Sequence, residues 1–419
     1  MKYLRFIVIV FFSFFPLILS SQTSEDKIKA ILDTLGASLK NKDVELAQHC
    51  FAPNFSISTS TWPSARNQLN VILENLNFRE VTFVSKEEQI AEETTLVHVK
   101  FLLLDRQTQK SIIAFSPDNK IVFIDYFDRL FGQSRYNKSN LAGILPFQQN
   151  KDESIILKIK LNNSESPLSF LLDTGADGMA IRKTLADSLN LRISHTQNAN
   201  IVGGQAQVSI SSGNTVHLSD SLSLTNQNIA IFETIRDVDG IIGLNLVKHY
   251  ITRIDFDRKE IHLYTFGEHQ YLKGETISIS TPYNLILIPG SLNLTEKKTV
   301  NGNFLFDTGA NYHLIAFARF VRKNRLLLSG FKPEAEGSTI SMGHATPVFH
   351  GKAYEFSICE NIVQNNMPVT LQASGAGDSS KSGENTPDGS IGIKFFSSYN
   401  LTIDLLRKEM HLSSRNSPL

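Results

Sequence analysis

The last two thirds of the chain contain the same sequence pattern twice. Three phrases recur in the same order: FLLDTGAD at 170–177 as FLFDTGAN at 304–311, DGIIGLNL at 239–246 as DGSIGIKF at 388–395, and IDFDRKEIHL at 254–263 as IDLLRKEMHL at 403–412. Three ordered matches indicate a tandem duplication. We therefore expect two related units, a first repeat at 141–275 and a second repeat at 276–415.

The pattern around these phrases favours β-structure. Short apolar runs alternate with Gly, Asn, Asp and Ser turns, and long helical stretches are few. Asp173 precedes Gly243 by 70 positions, whereas Asp307 precedes Gly392 by 85. The excess lies in the Gly/Ser-rich run ASGAGDSSKSGENTP at 373–387, which has too few apolar side chains to join a core. It predicts a disordered surface loop.

Each repeat retains Asp-Thr-Gly directly after an apolar run that is suited to a buried strand. The two tripeptides are Asp173, Thr174 and Gly175, and Asp307, Thr308 and Gly309. Two carboxyls that meet across a pseudo-two-fold axis share one proton. The carboxylate then accepts a proton from water while its protonated partner donates to a peptide carbonyl. The pattern therefore predicts peptide hydrolysis with Asp173 and Asp307 as catalytic residues.

The other residues of each tripeptide support the turn. A Thr side chain can hydrogen-bond across the two repeats, and Gly lets a backbone amide approach the carboxylate where a Cβ would obstruct it. We expect this supporting role for Thr174, Gly175, Thr308 and Gly309. A plain turn, which Asp and Gly also favour, is the alternative, and the duplication argues against it.

These phrases resemble the aspartic proteases, and the retropepsin-like branch more closely than the pepsin-like one. The segment 171–177 is similar to the active-site turn of retroviral proteases, and 241–246 is similar to the apolar-apolar-Gly turn that braces it in that family. The resemblance implies a mainly-β bilobal acid-protease fold of two retropepsin-like lobes in one chain. It also implies structural turns at Gly243 and Gly392.

In that family a glycine-rich flap from each lobe closes over the substrate. Val202, Gly203 and Gly204 lie between the two motifs of the first repeat, where a flap belongs. We expect them to touch substrate, with a plain hairpin turn as the alternative. The equivalent segment of the second repeat, around 341–345, has one glycine and is less similar to a flap.

The second repeat departs from the family pattern next to its Asp. Asn311, Tyr312 and His313 follow its Asp-Thr-Gly-Ala, and Ser390 stands where the first repeat has Ile241. These changes, and the loop at 373–387, can alter substrate choice or the alignment of the two carboxyls.

Residues 22–133 have a different pattern, with helices first and strands later. Apolar residues recur at helical spacing from Ile28 to Leu39, a second short helix is expected near 44–50 and a third near 69–76. Four strands are expected at 81–84, 96–101, 112–115 and 121–124. The order predicts an α+β domain. The phrase Asn-Lys-Asp-x-Glu-x-Ala at 41–47 resembles the nuclear-transport-factor-2-like superfamily. The resemblance implies helices on a curved antiparallel sheet, and an accessory or ligand-holding role is expected.

The first 21 residues predict a secretory signal peptide. Lys2 and Arg5 precede an almost wholly apolar segment at 6–20, and a polar run follows Ser21. A membrane anchor is the alternative, but about 15 apolar residues that include Pro16 fall short of the roughly 20 that span a bilayer. We expect cleavage near Ser21 and an exported protein, periplasmic or secreted, with no integral membrane segment left after cleavage.

Composition argues against several other classes. The 41 Lys+Arg residues balance 41 Asp+Glu residues, so no excess of positive charge favours nucleic acid. Cys50 and Cys359 are expected to be free thiols, because no paired spacing suggests a metal site or a disulfide framework. No phosphate-binding glycine loop, Gly-x-Ser-x-Gly or His-Glu-x-x-His occurs. We therefore expect no metal and no cofactor.

The sequence thus predicts an aspartic endopeptidase that acts on an extended polypeptide held between two lobes. A catalytically silent peptide-binding module that uses the same cleft is the alternative, and the retention of both Asp residues favours the enzyme. Because both lobes lie in one chain, we expect a monomer.

Overall fold

The computed structural model of the protein describes residues 24–89, 94–151, 153–201, 204–233, 235, 237–341, 344–373 and 386–416. The expected signal peptide and most of the expected loop at 373–387 lie outside the described residues. Within these ranges strands dominate and helices are few, so the expectation of a mainly-β chain is confirmed. No helix in the described part is long and apolar enough to cross a membrane.

The N-terminal unit consists of helices and a six-stranded sheet with the order β2-β1-β6-β5-β4-β3. Its elements are α1 (Ser24–Asn41), α2 (Val44–Gln48), β1 (Phe51–Ile57), β2 (Ser60–Thr61), α3 (Ser64–Asn75), β3 (Phe78–Gln89), β4 (Thr94–Leu103), β5 (Thr108–Phe115), β6 (Ile121–Ile124) and α4 (Asp125–Leu130). The sequence predicts no strand at β1 or β2. The phrase FAPNFSI at 51–57 contains a proline, and its apolar and polar residues do not alternate as in a typical half-buried strand.

Helix α1 covers one face of this sheet. Its apolar residues at helical spacing, Ile28, Leu32, Leu35 and Leu39, are buried in a core shared with the sheet. Asp43 ends the connection to α2, and its side chain accepts a hydrogen bond from the Leu46 amide at 2.9 Å. The unit therefore has a hydrophobic core of its own.

The first repeat contains ten strands and one short helix in the described residues. They are β7 (Leu141–Gln149), β8 (Ile155–Leu161), β9 (Leu168–Leu172), β10 (Met179–Arg182), α5 (Lys183–Ser188), β11 (Ile193–Ile201), β12 (Gly204–His217), β13 (Ser223–Phe232), β14 (Gly240–Ile242), β15 (Ile251–Asp255) and β16 (Glu260–Tyr264).

The second repeat has the same elements in the same order. They are β17 (Glu275–Ser278), β18 (Leu287–Thr295), β19 (Lys298–Asp307), β20 (Leu314–Ala316), α6 (Ala318–Lys323), β21 (Ala335–Ser341), β22 (His344–Cys359), β23 (Ile362–Gln372), β24 (Gly389–Gly392), β25 (Tyr399–Asp404) and β26 (Glu409–Ser414). Within the part of this repeat that the structure describes, three 3₁₀ turns add to these, at Pro282–Asn284, Leu326–Leu328 and Ile393–Phe396. The duplicated phrases thus belong to duplicated topology.

The two repeats meet in one sheet. A 13-stranded sheet has the order β11-β12-β13-β10-β14-β9-β8-β7-β16-β15-β25-β26-β17, and the remaining strands form a seven-stranded sheet, β18-β19-β24-β20-β23-β22-β21. Strands β15 and β25 pair antiparallel, with Thr252 opposite Ile403. The six strands at one end of this sheet, β7-β16-β15-β25-β26-β17, are therefore symmetric about this pair. Strands β25, β26 and β17 of the second repeat thus belong to the same sheet as the first repeat.

The core of the second repeat is rich in phenylalanine. Edge-to-face ring pairs with centroids 5.1–5.4 Å apart link five fully buried rings, Phe304, Phe306, Phe356, Phe395 and Phe396. Such pairs contribute roughly 0.5–1.5 kcal/mol each beyond their burial. Because Phe306 immediately precedes Asp307, this cluster fixes the strand that carries the second Asp.

A buried ion pair joins the N-terminal unit to the repeats. Arg135 donates from Nε to Asp128 at 2.6 Å and from a terminal nitrogen to the carbonyl of Leu406 at 2.7 Å. The Ser58 amide also donates to Asp128 at 2.6 Å. Lys408 donates to the Ser58 carbonyl at 2.9 Å, and burial lowers the pKa of Lys408 to about 7. Asp128 is fully buried and Arg135 is 5% exposed, so neither can turn to water for a replacement partner.

Substitution Arg135→Ala tests this junction. It leaves the buried Asp128 without its charge partner, and such losses cost about 3–5 kcal/mol. We expect a lower free energy of unfolding in urea for Arg135→Ala. Arg66→Ala, which removes an exposed pair with Glu45, is the matched control and should leave stability unchanged. Equal stability of Arg135→Ala and the parent would contradict the role given to this pair.

Candidate active site

Both Asp residues lie where a buried strand runs into a turn. Asp173 follows β9, and its amide donates to the carbonyl of Ile242 at 3.0 Å. Asp307 ends β19 and lies beside Gly392 of β24 in a parallel pairing. Strand β14 lies between β9 and β10, and β24 lies between β19 and β20 in the same way. The two carboxyls are thus delivered by the same local topology.

Two threonines connect the turns by crossed hydrogen bonds. The Thr174 amide donates to the Thr308 hydroxyl oxygen at 3.1 Å, and the Thr308 amide donates to the Thr174 hydroxyl oxygen at 3.0 Å. Each hydroxyl in turn donates across the axis, Thr174 to the Phe306 carbonyl and Thr308 to the Leu172 carbonyl, both at 2.8 Å. Both side chains are fully buried. The four bonds fix the distance between the two turns.

Each glycine of the tripeptides lies against the carboxyl of the other repeat. A Cβ on Gly175 would come within 2.8 Å of Cγ of Asp307, and one on Gly309 within 2.5 Å of Cγ of Asp173. Those distances are shorter than carbon–carbon contact allows, and the collision is with a side chain held in place by hydrogen bonds. Any larger residue at either position would therefore push the two carboxyls apart.

Two further glycines pack under the turns. A Cβ on Gly243 would meet the Ala176 carbonyl oxygen at 2.2 Å, and one on Gly392 would meet the Ala310 carbonyl oxygen at 2.6 Å. The residue after each glycine donates its amide to the same carbonyl, at 2.9 Å in the first repeat and 3.0 Å in the second. The structure places Gly243 and Gly392 where a side chain would displace the turn that carries the Asp of the same repeat.

The two carboxyls hydrogen-bond to each other and are partly exposed. Asp173 accepts from the Gly175 amide at 2.9 Å, and Asp307 accepts from the Gly309 amide at 3.0 Å. Burial raises the pKa of both side chains, and the charge of Asp173 raises the pKa of Asp307 further. Two carboxyls in this arrangement do not both ionise readily, so the pair holds one proton over a wide pH range.

This arrangement has a donor and an acceptor side by side. The ionised carboxyl can take a proton from a water molecule, and the protonated one can give a proton to an oxygen atom of a bound molecule. Within the described ranges, no three His, Cys, Asp or Glu side chains lie close enough together to hold a metal ion. The geometry supports general acid–base chemistry on the chain's own two carboxyls.

A long hairpin extends from each repeat between its two motifs. Strands β11 and β12 pair from Ile193 to Ile201, with Ile201 opposite Gly204, and β21 and β22 pair up to Ser341 opposite His344. The expected flap residue Gly204 begins β12, and the other two, Val202 and Gly203, lie outside the described residues. The second repeat has the same kind of hairpin, although its sequence was less similar to a flap.

The second carboxyl has two neighbours that the sequence marks as departures from the family pattern. Tyr312 and Ser390 lie near Asp307. The first repeat has Gly178 and Ile241 at these positions. The sequence indicates this difference when the two repeats are aligned, because the hydroxyl side chains occur in the second repeat alone.

A cavity of about 960 Å³ lies elsewhere on the second repeat. Gly290, Asn301, Arg319, Glu355 and Asp388 are among the residues that line it. It contains neither Asp173 nor Asp307.

A family model matches the part of the chain that carries the first of the two Asp residues. Residues 157–246, which include Asp173 and Gly243, match the family model described as aspartyl protease. An aspartic proteinase from Irpex lacteus has a similar structure, with 13% identity, a TM-score of 0.43, and coverage of 67% of this chain and 98% of that one. A retropepsin-like aspartic protease from Rickettsia conorii has 18% identity and a TM-score of 0.24, and the match covers 30% of this chain and 95% of that one. No curated protein matches the chain.

Substitution Thr174→Val tests the crossed hydrogen bonds. Valine keeps the shape but leaves the Thr308 amide and the Phe306 carbonyl unpaired in the core, at roughly 1–3 kcal/mol for each group. We expect a lower free energy of unfolding by chemical denaturation. Thr184→Val, at an exposed position of α5, is the control. If Thr174→Val and Thr184→Val both unfold at the same denaturant concentration as the parent, the crossed hydrogen bonds do not hold the two turns together.

Proposed function

We propose that the protein is an aspartic endopeptidase. One observation carries this proposal: Asp173 and Asp307 hydrogen-bond to each other at the ends of two symmetry-related turns. The match of 157–246 to the aspartyl protease family supports it. The reaction is hydrolysis of a peptide bond by water that the two carboxyls activate.

The crossed threonines and the paired glycines supply the positioning that this chemistry needs. General acid–base catalysis depends on donor and acceptor atoms that stay within hydrogen-bond reach of the reacting groups. Thr174 and Thr308 set the separation of the turns, and Gly175 and Gly309 leave room for the carboxyls to meet. No covalent intermediate and no metal are part of the proposed reaction.

The substrate of the proposed enzyme is an extended polypeptide. Each hairpin, β11–β12 and β21–β22, belongs to the sheet that carries the Asp of its own repeat. An extended chain between two such hairpins can satisfy its amides and carbonyls against strand backbone. In this proposal residues 141–275 and 276–415 act as two lobes, and Val202, Gly203 and Gly204 form the flap of the first.

A silent peptide-binding module is the second candidate, and no observation favours it. Loss of catalysis would leave no constraint on the glycines that make room for the opposite carboxyl, yet both copies keep Gly and both keep Asp. We also propose that the chain is exported after removal of residues 1–21, and that one chain forms the complete site.

The N-terminal unit, 22–133, is proposed to be a permanent part of the enzyme, with a nuclear-transport-factor-2-like fold. Its hairpin turn is hydrogen-bonded to the segment that enters the second repeat. The Thr61 amide donates to the Thr281 hydroxyl oxygen at 3.1 Å, and the Thr281 amide donates to the Thr61 hydroxyl oxygen at 3.0 Å. The Thr281 hydroxyl donates to the carbonyl of Thr59 at 2.7 Å. All three threonines are buried.

The same contacts continue to the first active-site turn. Asn284 accepts a hydrogen bond from Ser60 at 3.4 Å and donates one to Asp177 at 3.3 Å. Lys248 forms an ion pair with Asp177, and the carbonyl of Lys248 accepts a hydrogen bond from Gln133 at 3.1 Å. Asp177 lies four residues after Asp173. Both partners of Asp177 are therefore held by the N-terminal unit, which supports a bracing role.

Substitutions Asp173→Asn and Asp307→Asn test the enzyme itself. Each removes one half of the acid–base pair, and we expect cleavage of an unfolded protein mixture to fall by about 10²–10⁴-fold or more. Asp220→Asn, at an exposed turn, is the control and should cleave like the parent. Unchanged activity in both dyad variants would contradict the assignment, and no cleavage by the parent at any pH would favour the binding module.

The pH dependence of stability gives a further prediction. Burial raises the pKa of both carboxyls above their ordinary value of 3.8, so the native pair retains a proton that the unfolded chain releases. The stability of the parent therefore falls as pH rises from that value through the native pKa values. Asp307→Asn removes the contribution of Asp307 to this pH dependence, so we expect a higher unfolding temperature than the parent at neutral pH. A lower unfolding temperature for Asp307→Asn than for the parent would contradict the raised pKa values of the two carboxyls.

Substitution Thr281→Val tests the brace. It removes the hydroxyl that bonds to Thr59 and Thr61, and we expect faster hydrogen exchange at amides 173–177 of the first turn. Amides 307–311 of the second turn should exchange as in the parent, which provides an internal control. Equal exchange at both turns in Thr281→Val and the parent would show that the N-terminal unit does not support the site.

A further inference from the structure

A loop of the second repeat is hydrogen-bonded to the strands and turns that carry both carboxyls. It comprises residues 281–286, between β17 and β18. Asn284 donates to Asp177 of the first active-site turn at 3.3 Å. The carbonyl of Ile286 accepts a hydrogen bond at 2.9 Å from the amide of Phe306, the residue before the second Asp of the pair. The loop therefore lies at one side of the candidate active site.

Two neighbouring residues of this loop have a left-handed backbone. Tyr283 has φ 51° and ψ 29°, and Asn284 has φ 59°. Asparagine adopts this conformation with little strain, whereas a side chain as bulky as that of tyrosine rarely does. Such a strained residue persists where the surrounding structure imposes its conformation, and it is often found at a functional site.

The N-terminal unit holds the loop on both sides of Tyr283. Before it, the Thr281 amide donates to the Thr61 hydroxyl oxygen at 3.0 Å, and the Thr281 hydroxyl donates to a carbonyl of the same β1–β2 hairpin at 2.7 Å. After it, the side chain of Asn284 accepts from the Ser60 hydroxyl at 3.4 Å. These contacts explain how the fold maintains the strained backbone of Tyr283.

The side chain of Tyr283 is 51% exposed. Burial of the ring therefore does not account for a tyrosine at a position where glycine or asparagine would fit with less strain. An aromatic side chain that is half exposed beside an active-site turn can contact a bound molecule with its apolar face. Contact with a ligand gives the strained residue a reason to be a tyrosine.

The corresponding loop of the first repeat has no aromatic residue. Gln149 lies opposite Ile155 in the first repeat as Ser280 lies opposite Leu287 in the second. The residues between the first two are NKDES at 150–154. The aromatic side chain is thus a feature of one repeat, the one whose loop is bonded to the N-terminal unit.

We propose that Tyr283 is a specificity-determining residue, which contacts one side chain of the polypeptide substrate from a position that the N-terminal unit fixes. This inference rests on the proposed function and adds a role for the N-terminal unit in the choice of substrate. A tyrosine ring buries more apolar surface against a large side chain than against a small one. The subsite therefore favours a large apolar or aromatic side chain over alanine at one substrate position.

The test compares peptide pairs that differ at a single position, Phe or Ala, with the full-length mature chain. The parent should cleave the Phe peptide with a kcat/KM about 10–200-fold higher at the position that Tyr283 contacts. In Tyr283→Gly we expect this ratio to approach one, with the ratios at the other positions unchanged. Glycine suits the left-handed backbone, so the variant keeps the loop while it loses the ring. Tyr283→Phe keeps the ring and should keep the ratio.

A variant in the N-terminal unit tests the second part of the inference. Thr61→Val removes the hydroxyl that accepts from the Thr281 amide and leaves the loop sequence intact. We expect the Phe/Ala ratio to fall at the same substrate position as in Tyr283→Gly. Tyr354→Ala, at an exposed tyrosine of β22, is the control and should have the ratios of the parent. Parent ratios in Thr61→Val would overturn the role of the N-terminal unit.

The outcomes separate the subsite from the proposed function. If the parent cleaves and Tyr283→Gly keeps every ratio, the inference is overturned. Loss of the ratio at all positions alike would also overturn it, since a general defect of the cleft gives that result. If the parent cleaves no peptide, the Kd values of the same pairs, made with a reduced central bond, are compared by calorimetry.

These binding measurements decide the case in which the enzyme proposal fails. A Phe/Ala ratio of Kd values that Tyr283→Gly loses at one position would support the subsite in a protein that binds peptides without cleaving them. An unchanged ratio in Tyr283→Gly, or no binding of any pair by the parent, would overturn the subsite as well.

Discussion

The crossed hydrogen bonds of Thr174 and Thr308 are the constraint on which the site depends. They join residues 134 positions apart and bury both hydroxyls completely. Since each hydroxyl both accepts and donates across the axis, the turns cannot separate without leaving buried polar groups unpaired. The contact of the carboxyls and the space left by Gly175 and Gly309 follow from this fixed spacing. The central sheet that pairs β15 with β25 holds the rest of the two repeats in the same symmetry.

Symmetry brings the carboxyls together, and departures from symmetry give them different surroundings. The two carboxyls lower the stability of the fold at neutral pH, because burial raises the pKa of both groups. A catalytic role would explain why both repeats nevertheless retain the Asp. Ser390 and Tyr312 carry hydroxyl groups that the first repeat does not have at these positions. The N-terminal unit adds a second asymmetry, because it supports the first turn through Asn284 and Lys248.

The candidate site could be predicted from the sequence because its signal is local and repeated. Asp-Thr-Gly and the later glycine are short phrases, and the duplication makes chance an unlikely source. Strands β1 and β2 were missed because their pairing partners, not their own alternation, make them strands. The contact of Thr61 with Thr281 spans 220 positions and has no sequence signature. The surroundings of Tyr312 and Ser390 also needed three dimensions, since the sequence marks them only as differences between the two repeats.

The central claim is that water activated by the two carboxyls attacks the peptide bond directly. It is tested by cleaving a peptide in water enriched in oxygen-18, with an amine nucleophile added, and weighing the products. The account predicts one heavy oxygen in each new carboxyl group and no product joined to the added amine. Capture of the amine as a new amide would reveal an acyl-enzyme and contradict the account.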